Sequence, residues 1–180
     1  MTPPSQLDAW IADETRILQR IQDGVGTGVS RADQVAGKTG LEMMQALLDA
    51  ALPAPPIFTT LDYILVEIGP GRAVFQGRPG MSHMNPMGGI HGGWYATLLD
   101  SALGCAVHTM MPVGRGYTTA ELGVNIVKAI TPKVQRVRAI GTVLHCGRQL
   151  ATAEARLVGP DGTLYAHATT TCLVFEMPKK

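Results

Sequence analysis

The chain has 180 residues, of which 46% are hydrophobic and 16% are charged, and its formal net charge is +1. This length suits one domain with a sizeable core, and the near-neutral balance leaves no basic surface for nucleic acid or an anionic membrane. The small share of charged residues predicts that part of the surface is buried against other copies of the chain.

Two amphipathic helices are predicted at the start of the chain. Residues 5–22 carry apolar side chains at helical spacing, and Ser5 and Asp8 have the pattern of a helix cap. Thr39–Glu42 opens a second, shorter helix. Between the two, residues 24–38 are polar and contain several glycines, which predicts a linker.

A proline-containing segment, residues 52–57, follows the second helix. Because proline disfavours helix continuation, we place a boundary here between a helical extension, residues 1–55, and a main domain, residues 56–177. We expect the extension to lie on the outside of the domain. A lid over a substrate channel is the alternative.

The main domain is predicted to contain strands before and after one long apolar helix in the chain. Residues 59–77 predict a hairpin around the Gly69-Pro70-Gly71 turn, and a loop at 79–90 leads into a helix at 93–111. Four further strand-like runs follow, at residues 117–130, 135–147, 149–159 and 163–176. An apolar helix is buried on most sides only if a curved sheet surrounds it, so we predict an α+β hot-dog fold with about six antiparallel strands.

The long apolar stretch is not expected to cross a membrane. It contains Gly92, Gly93, Gly104, Asp100 and His108, and a central aspartate costs about 2.5–3.5 kcal/mol on insertion scales. No secretory signal is expected either, because the N-terminus carries acidic residues where a basic region would be needed. The cytoplasm is therefore the predicted location.

The spacing of the cysteines and histidines in the sequence is not that of a metal-binding site. Cys105, Cys146 and Cys172 are far apart and lie in strand-like or apolar helical runs. We expect them in the core, and we expect no metal site.

Asp100 is the only charged residue between Arg78 and Arg115. A buried carboxylate is costly unless something pairs or uses it, and no Lys or Arg lies at helical spacing from this one. We therefore predict a general base or nucleophile that acts on an acyl carbon. The alternative is a structural aspartate bonded to a hydroxyl or a backbone amide across an interface.

The segment before the helix supplies candidate hydrogen-bond donors. The first turn of a helix leaves backbone N–H groups without partners, and Gly92 and Gly93 allow a ligand to approach them closely. A thioester carbonyl could be polarised there, with the Asn85 amide as a second donor or as a holder of the attacking water. His91 lies nine residues from Asp100, so we expect it to orient the loop rather than to form a catalytic pair.

The spacing of these residues is similar to that of PaaI-like hot-dog-fold acyl-CoA thioesterases. The resemblance covers roughly residues 57–176, and the joint placement of Asn85, His91-Gly92-Gly93 and Asp100 makes it specific. The other matching stretches are residues 96–106, 118–130 and 144–175.

The resemblance implies a role for each of these residues. Asp100 would activate water or attack the thioester, the Gly92 amide would form the oxyanion hole, and Asn85 would help to position the reactants. A Ser or Thr on the following strand is also implied, and Thr118 and Thr119 both fit. The family builds its sites across a dimer interface, so a homodimer or homotetramer is implied. Coenzyme A belongs to the substrate, and no cofactor is expected.

The sequence does not identify the acyl group of the substrate. The chain departs from the family pattern in the IVKAITP stretch at residues 126–132 and in the long N-terminal extension. Arg148 and Arg136 are candidates for binding the phosphates of coenzyme A, with solvated surface arginines as the alternative.

Three functions are compatible with the predicted fold. We favour hydrolysis of an acyl-CoA thioester to the free acid and coenzyme A. A hot-dog protein that binds acyl-CoA without cleaving it is the second candidate. A hydratase is the third, and it would pair Asp with His at a spacing that this sequence lacks.

Overall fold

In the computed structural model, which describes residues 4–131 and 133–177, six antiparallel strands form one sheet. The order across the sheet is first, second, fourth, fifth, sixth and third, so the first and third strands lie at its edges. The predicted hairpin and the four later strands are confirmed. In chain order the strands are β1 (Tyr63–Gly69), β2 (Arg72–Gly77), β3 (Arg115–Ile126), β4 (Val137–Cys146), β5 (Leu150–Val158) and β6 (Leu164–Glu176).

The helices begin largely where the capping patterns predict. Ser5 and Asp8 cap the first helix reciprocally, and Thr39 and Glu42 do the same for the third. Two short helices were not predicted. One has only four residues, too few for a periodic pattern, and the other starts at Pro56, where proline is tolerated in the first turn. The α-helices are α1 (Gln6–Asp23), α2 (Ala32–Val35), α3 (Gly40–Leu48), α4 (Pro56–Leu61) and α5 (Gly92–His108).

Helix α5 lies against the concave face of the sheet and forms the centre of the core. Leu98, Leu99 and Ala102 are fully buried between the helix and the strands. The approach is close because β4 has a glycine at the contact: a Cβ at Gly141 would overlap the Ala102 carbonyl oxygen. The predicted central helix is thereby confirmed. Within the described residues, no helix has the length and apolar character needed to span a bilayer.

The N-terminal extension packs on the opposite, outer face of the sheet. Because Gly77 faces α5 and strand side chains alternate, Gln76 points away from α5. Gln76 Nε2 donates to the Trp10 carbonyl at 3.0 Å and to Glu14 Oε2 at 2.7 Å, both on α1. Helix α1 is therefore outside the sheet, as expected, and does not cover α5.

The rest of the extension reaches the end of the central helix. The Gly40 N–H at the start of α3 donates to the Met111 carbonyl at 2.9 Å, just beyond the last turn of α5. Met44 and Ala54 belong to the same hydrophobic core as the α5 side chains. The extension and the main domain thus share one core.

Candidate active site

Asp100 lies on a half-buried face of α5 and accepts a hydrogen bond from the next strand along the chain. The Thr119 hydroxyl donates to Asp100 Oδ1 at 3.1 Å. Thr118 is exposed, so of the two threonines left open by the sequence it is Thr119 that the fold brings to Asp100. The register of β3 shifts between Thr119 and Glu121, and such bulges re-aim side chains. Among the described residues, Asp100 has no Lys or Arg partner.

The titratable groups next to Asp100 are neutral near neutral pH. Burial, with a smaller contribution from the Asp100 charge, raises the pKa of the Cys105 thiol to about 12. Burial also holds the pKa of the Tyr117 hydroxyl well above its usual range. Two turns further along α5, burial lowers the pKa of His108, so its imidazole is uncharged at neutral pH. Neither the Cys105 thiol nor the Tyr117 hydroxyl can therefore supply an anionic nucleophile here.

His91 caps the start of α5. Its Nδ1 accepts the Gly93 N–H at 2.9 Å, and its own backbone N–H donates to the His83 carbonyl at 2.8 Å. Through these two bonds His91 orients the turn before the helix. The bond to Nδ1 also occupies the Gly93 amide, which the sequence suggested for substrate binding.

The Gly92 amide is the open donor at this helix start. Gly92 is the first residue of α5, a position whose N–H has no partner inside the helix. Within residues 4–131 and 133–177 we find no other acceptor for it. Gly92 has no side chain to block an approaching oxygen, so its N–H can bind a carbonyl oxygen or an oxyanion.

Asn85 organises the loop before the helix. Its Oδ1 accepts the backbone N–H groups of Met87 at 2.9 Å and Gly89 at 3.2 Å. Met84 and Ile90 close the loop through an isolated β-bridge. Because Oδ1 is used for the turn, the Asn85 NH₂ group faces away from it, and no acceptor for that group is found in the described part of the chain.

His83 is a residue that the sequence did not single out. It lies in the loop before α5, but it is buried, and its ring stacks on Trp94 with centroids 5.3 Å apart. Its Nδ1 accepts the Gly80 N–H at 3.1 Å, and its carbonyl accepts the His91 N–H. No local sequence pattern indicates these contacts.

Gly92 and Asp100 of one chain are too far apart to act on the same carbonyl group. They are eight residues apart on one helix, which at a rise of 1.5 Å per residue is about 12 Å along its axis. A carbonyl carbon and its oxygen are only about 1.2 Å apart. The donor and the acid must therefore come from different chains if both are to work on one thioester.

The two candidate arginines have different surroundings. Arg136 binds Glu14 of α1 through two hydrogen bonds, of 2.7 and 3.0 Å, on the outer side of the sheet. The fold does not bring Arg136 to the site, because this ion pair uses its guanidinium. Arg148 is exposed at the turn between β4 and β5, and its carbonyl accepts a hydrogen bond from the Arg115 guanidinium.

Comparisons with known proteins agree with this fold. Residues 87–166 match the family model of the thioesterase superfamily. A comparison with curated protein sequences gives no match. Among solved structures, a thioesterase family protein from Silicibacter pomeroyi is 27% identical, with a TM-score of 0.61, over 67% of this chain and 90% of its own.

Two further solved structures are similar over about two thirds of this chain. A mutant of the phenylacetic acid degradation protein PaaI from Thermus thermophilus is 26% identical, with a TM-score of 0.59, over 66% of this chain and 97% of its own. A hypothetical thioesterase from Streptococcus pneumoniae, solved with coenzyme A, is 24% identical, with a TM-score of 0.57, over 65% and 88%. The predicted PaaI-like resemblance is confirmed: residues 87–166 match the thioesterase superfamily model, and thioesterase-family structures are similar to two thirds of the chain.

Proposed function

We propose that this protein hydrolyses acyl-CoA thioesters to the free acid and coenzyme A. The observation that carries the proposal is the half-buried Asp100 carboxylate, held by Thr119 at 3.1 Å on a helix whose first N–H is open. The match of residues 87–166 to the thioesterase superfamily model supports thioester chemistry. The similar protein from Streptococcus pneumoniae, solved with coenzyme A, supports coenzyme A as the thiol part of the substrate.

The proposed site is shared by two subunits. Asp100 and Thr119 come from one subunit, and the Gly92 amide and Asn85 come from the other, because the helix separates Asp100 from Gly92 of the same chain by about 12 Å. The exposed edge strand β3 offers the pairing surface for a second copy. This arrangement also agrees with the small share of charged residues in the chain.

Asp100 can act in either of two ways. As a general base, its carboxylate takes a proton from water while the water oxygen bonds to the thioester carbon. As a nucleophile, it attacks that carbon itself and forms an anhydride that water then hydrolyses. In both routes the Gly92 N–H stabilises the oxyanion, the C–S bond breaks, and the coenzyme A sulfur leaves and takes up a proton.

Thr119 orients the carboxylate. By donating to Oδ1, it fixes the rotation of the carboxyl group and leaves Oδ2 free to face the substrate. The free NH₂ of Asn85 is suited to hold the attacking water or the carbonyl oxygen. Arg148 is the arginine that we propose for the phosphates of coenzyme A, since its guanidinium is at an exposed turn.

Replacing Asp100→Asn tests the proposal. We expect kcat/KM for the best substrate of an acyl-CoA panel, followed as free thiol, to fall by about 10²–10⁴-fold, the usual contribution of a catalytic base. Asp23→Asn, at the exposed end of α1, is the matched control and should leave the rate unchanged.

Two outcomes would contradict hydrolysis by Asp100. An unchanged rate in Asp100→Asn would exclude this carboxylate as base or nucleophile. Tight binding of acyl-CoA by the wild-type protein with no release of thiol would favour the second candidate function, a non-catalytic acyl-CoA-binding protein.

A further inference from the structure

We propose that His83 is a positioning residue, which fixes the direction of the Gly92 N–H by stacking its ring on Trp94. This inference rests on the proposed function, in which that N–H stabilises the oxyanion. His83 is only 6% exposed, so it acts on the site through its neighbours rather than by touching the substrate.

His83 anchors the loop that leads into α5. Of residues 78–93, all of which the structure describes, His83 alone is buried. Its Nδ1 accepts the Gly80 N–H at 3.1 Å and closes the turn in which it lies. Ile90 adds a partly buried contact with the core. His83 thus provides the deepest contact between this loop and the rest of the domain.

The partner of the His83 ring is itself held firmly. The two rings have centroids 5.3 Å apart and an angle of 26° between their planes. The Trp94 Nε1 donates to the Leu61 carbonyl at 2.8 Å. A Cβ on Gly77 of β2 would lie 2.9 Å from the Trp94 ring, so this ring packs directly on the sheet. Because these contacts hold Trp94 in place, they also fix the ring that is stacked on it.

Two backbone hydrogen bonds connect the stacked rings to the peptide group between His91 and Gly92. The His83 carbonyl accepts the His91 N–H at 2.8 Å, and the His91 carbonyl accepts the Trp94 N–H at 2.9 Å. Together with the stacking, these bonds form a closed set of contacts that runs from His83 to His91, on to Trp94 and back to His83. The peptide group between His91 and Gly92 lies within this set.

This peptide group carries the open donor of the candidate site. It is trans, and a trans peptide is planar, with its carbonyl and its N–H pointing in opposite directions. Holding the His91 carbonyl on Trp94 therefore also holds the Gly92 N–H. The direction matters for the reaction, because a misplacement of about 1 Å can cost about 10²-fold in rate.

The ring of His83, rather than its hydrogen-bonding groups, provides the anchor. The Gly80 N–H that Nδ1 accepts is only partly buried, so water can replace Nδ1 as its acceptor. Nε2 is buried and has no hydrogen-bond partner among residues 4–131 and 133–177. A phenyl ring at this position would therefore keep the stacking and leave no buried ring nitrogen unpaired.

Three substitutions of His83 test the inference in a free-thiol assay. His83→Ala removes the ring, His83→Asn keeps an acceptor close to the position of Nδ1, and His83→Phe keeps the ring. We expect kcat to fall by roughly 10- to 100-fold in His83→Ala and His83→Asn, with little change in KM, and to recover in His83→Phe. His167→Ala, at an exposed histidine of β6, is the matched control and should leave kcat unchanged.

Combination with Gly92→Pro separates positioning from a general loss of stability. Proline removes the N–H that His83 is proposed to direct. Two residues that act through one group have non-additive effects, so His83→Ala should lower kcat much less in the Gly92→Pro protein than in the wild type. The same fold-decrease in both proteins would overturn the inference, because it would indicate damage to the fold as a whole.

Amide hydrogen exchange tests the positioning without catalysis. The His83 carbonyl binds the His91 N–H, and the His91 ring binds the Gly93 N–H. Both should exchange faster in His83→Ala and return to the wild-type rate in His83→Phe. If the wild-type protein releases no thiol, the proposed function fails, and this measurement still decides whether His83 fixes the turn.

Two results would contradict the role of the stacked ring. One is unchanged exchange of both N–H groups in His83→Ala, and the other is recovery of kcat in His83→Asn but not in His83→Phe. If His83→Ala does not fold, His83→Asn takes its place in each comparison.

Discussion

At the scale of single residues, the candidate site depends on a backbone group as much as on side chains. Gly92 contributes only its N–H, and this group is open because of its place at the first position of α5. Its neighbour Gly93 has an equivalent N–H, but His91 occupies it. Of the two adjacent glycines, only Gly92 thus has an N–H free to bind a substrate oxygen, because the His91 side chain accepts the N–H of Gly93.

Gly92→Pro removes this N–H with little change to the helix. Proline is favoured at the first helical position, and His91, at φ −62° and ψ 136°, has a conformation that the residue before a proline adopts. Loss of one oxyanion-hole donor costs about 10²–10³-fold in kcat, which is the decrease we expect in a free-thiol assay.

Gly92→Ala is the control for this variant, because it keeps the N–H and adds only a methyl group. Its Cβ would lie 3.2 Å from the end of the Ile126 side chain, which can move aside. If alanine and proline reduced kcat equally, steric blockage rather than the lost donor would be the cause, and the oxyanion role of Gly92 would be refuted.

At the scale of elements, α1 is tied to the sheet by a buried charge. Glu14 is 5% exposed and binds Arg136 and Gln76, with Arg78 at 3.4 Å. Arg138 adds a second link: it donates to Asp13 and stacks over the ring of Trp10. Arg136, one of the two arginines suggested by the sequence for the phosphates of coenzyme A, thus holds the extension instead.

Glu14→Gln should destabilise the protein, because the partly buried Arg136 guanidinium loses its buried counter-charge. We expect the free energy of unfolding in urea to decrease by about 1–3 kcal/mol, the cost of leaving a buried polar partner unsatisfied. Asp33→Asn is the comparison: its ion pair with Arg31 has both side chains 69% exposed, so it should change little. Equal stability of Glu14→Gln and wild type would show that this link does not hold α1 in place.

At the scale of the whole molecule, the proposed function requires two chains. We propose that Asp100 and Gly92 each belong to half of a site, and β3, at the edge of the sheet, is where a second copy can pair. A symmetric pair of chains brings two such halves together twice.

Mixed dimers of Asp100→Asn and Gly92→Pro test this assembly. Each variant alone lacks one group in both of its sites. Random re-association gives about half mixed dimers with one intact site each, so we expect about a quarter of wild-type activity to return. Each variant refolded alone is the control, and a mixture that stays as inactive as both controls would place the acid and the donor in the same chain.

The local features of the fold could be predicted from the sequence because they depend on neighbouring residues. The two capping boxes, at Ser5 and Thr39, need only a side chain and the backbone three residues on. The strands follow from alternation, and the hairpin from its Gly69-Pro70-Gly71 turn. The sequence does not predict the short helix α4, because its first residue, Pro56, lies in a proline-containing segment that indicates the end of a helix.

The contacts of the site could be predicted only in part. The solitary Asp100 and the glycines before α5 were evident from their spacing, but the choice between Thr118 and Thr119 depends on the pairing of β3 with β6 and on a bulge beside it. The burial of His83 also depends on tertiary packing, since its ring stacks on Trp94 of α5.

The sequence by itself determined the order of the elements, the helix caps, and the presence of a single acid in an apolar helix. These features depend on the spacing and type of residues that are close together in the chain. Only the tertiary structure decided that Thr119 meets Asp100, that Arg136 pairs with Glu14, and that Gly40 of the extension bonds to Met111 at the far end of α5. These contacts join residues that are distant in the chain, and their geometry is set by how the curved sheet packs around the helix.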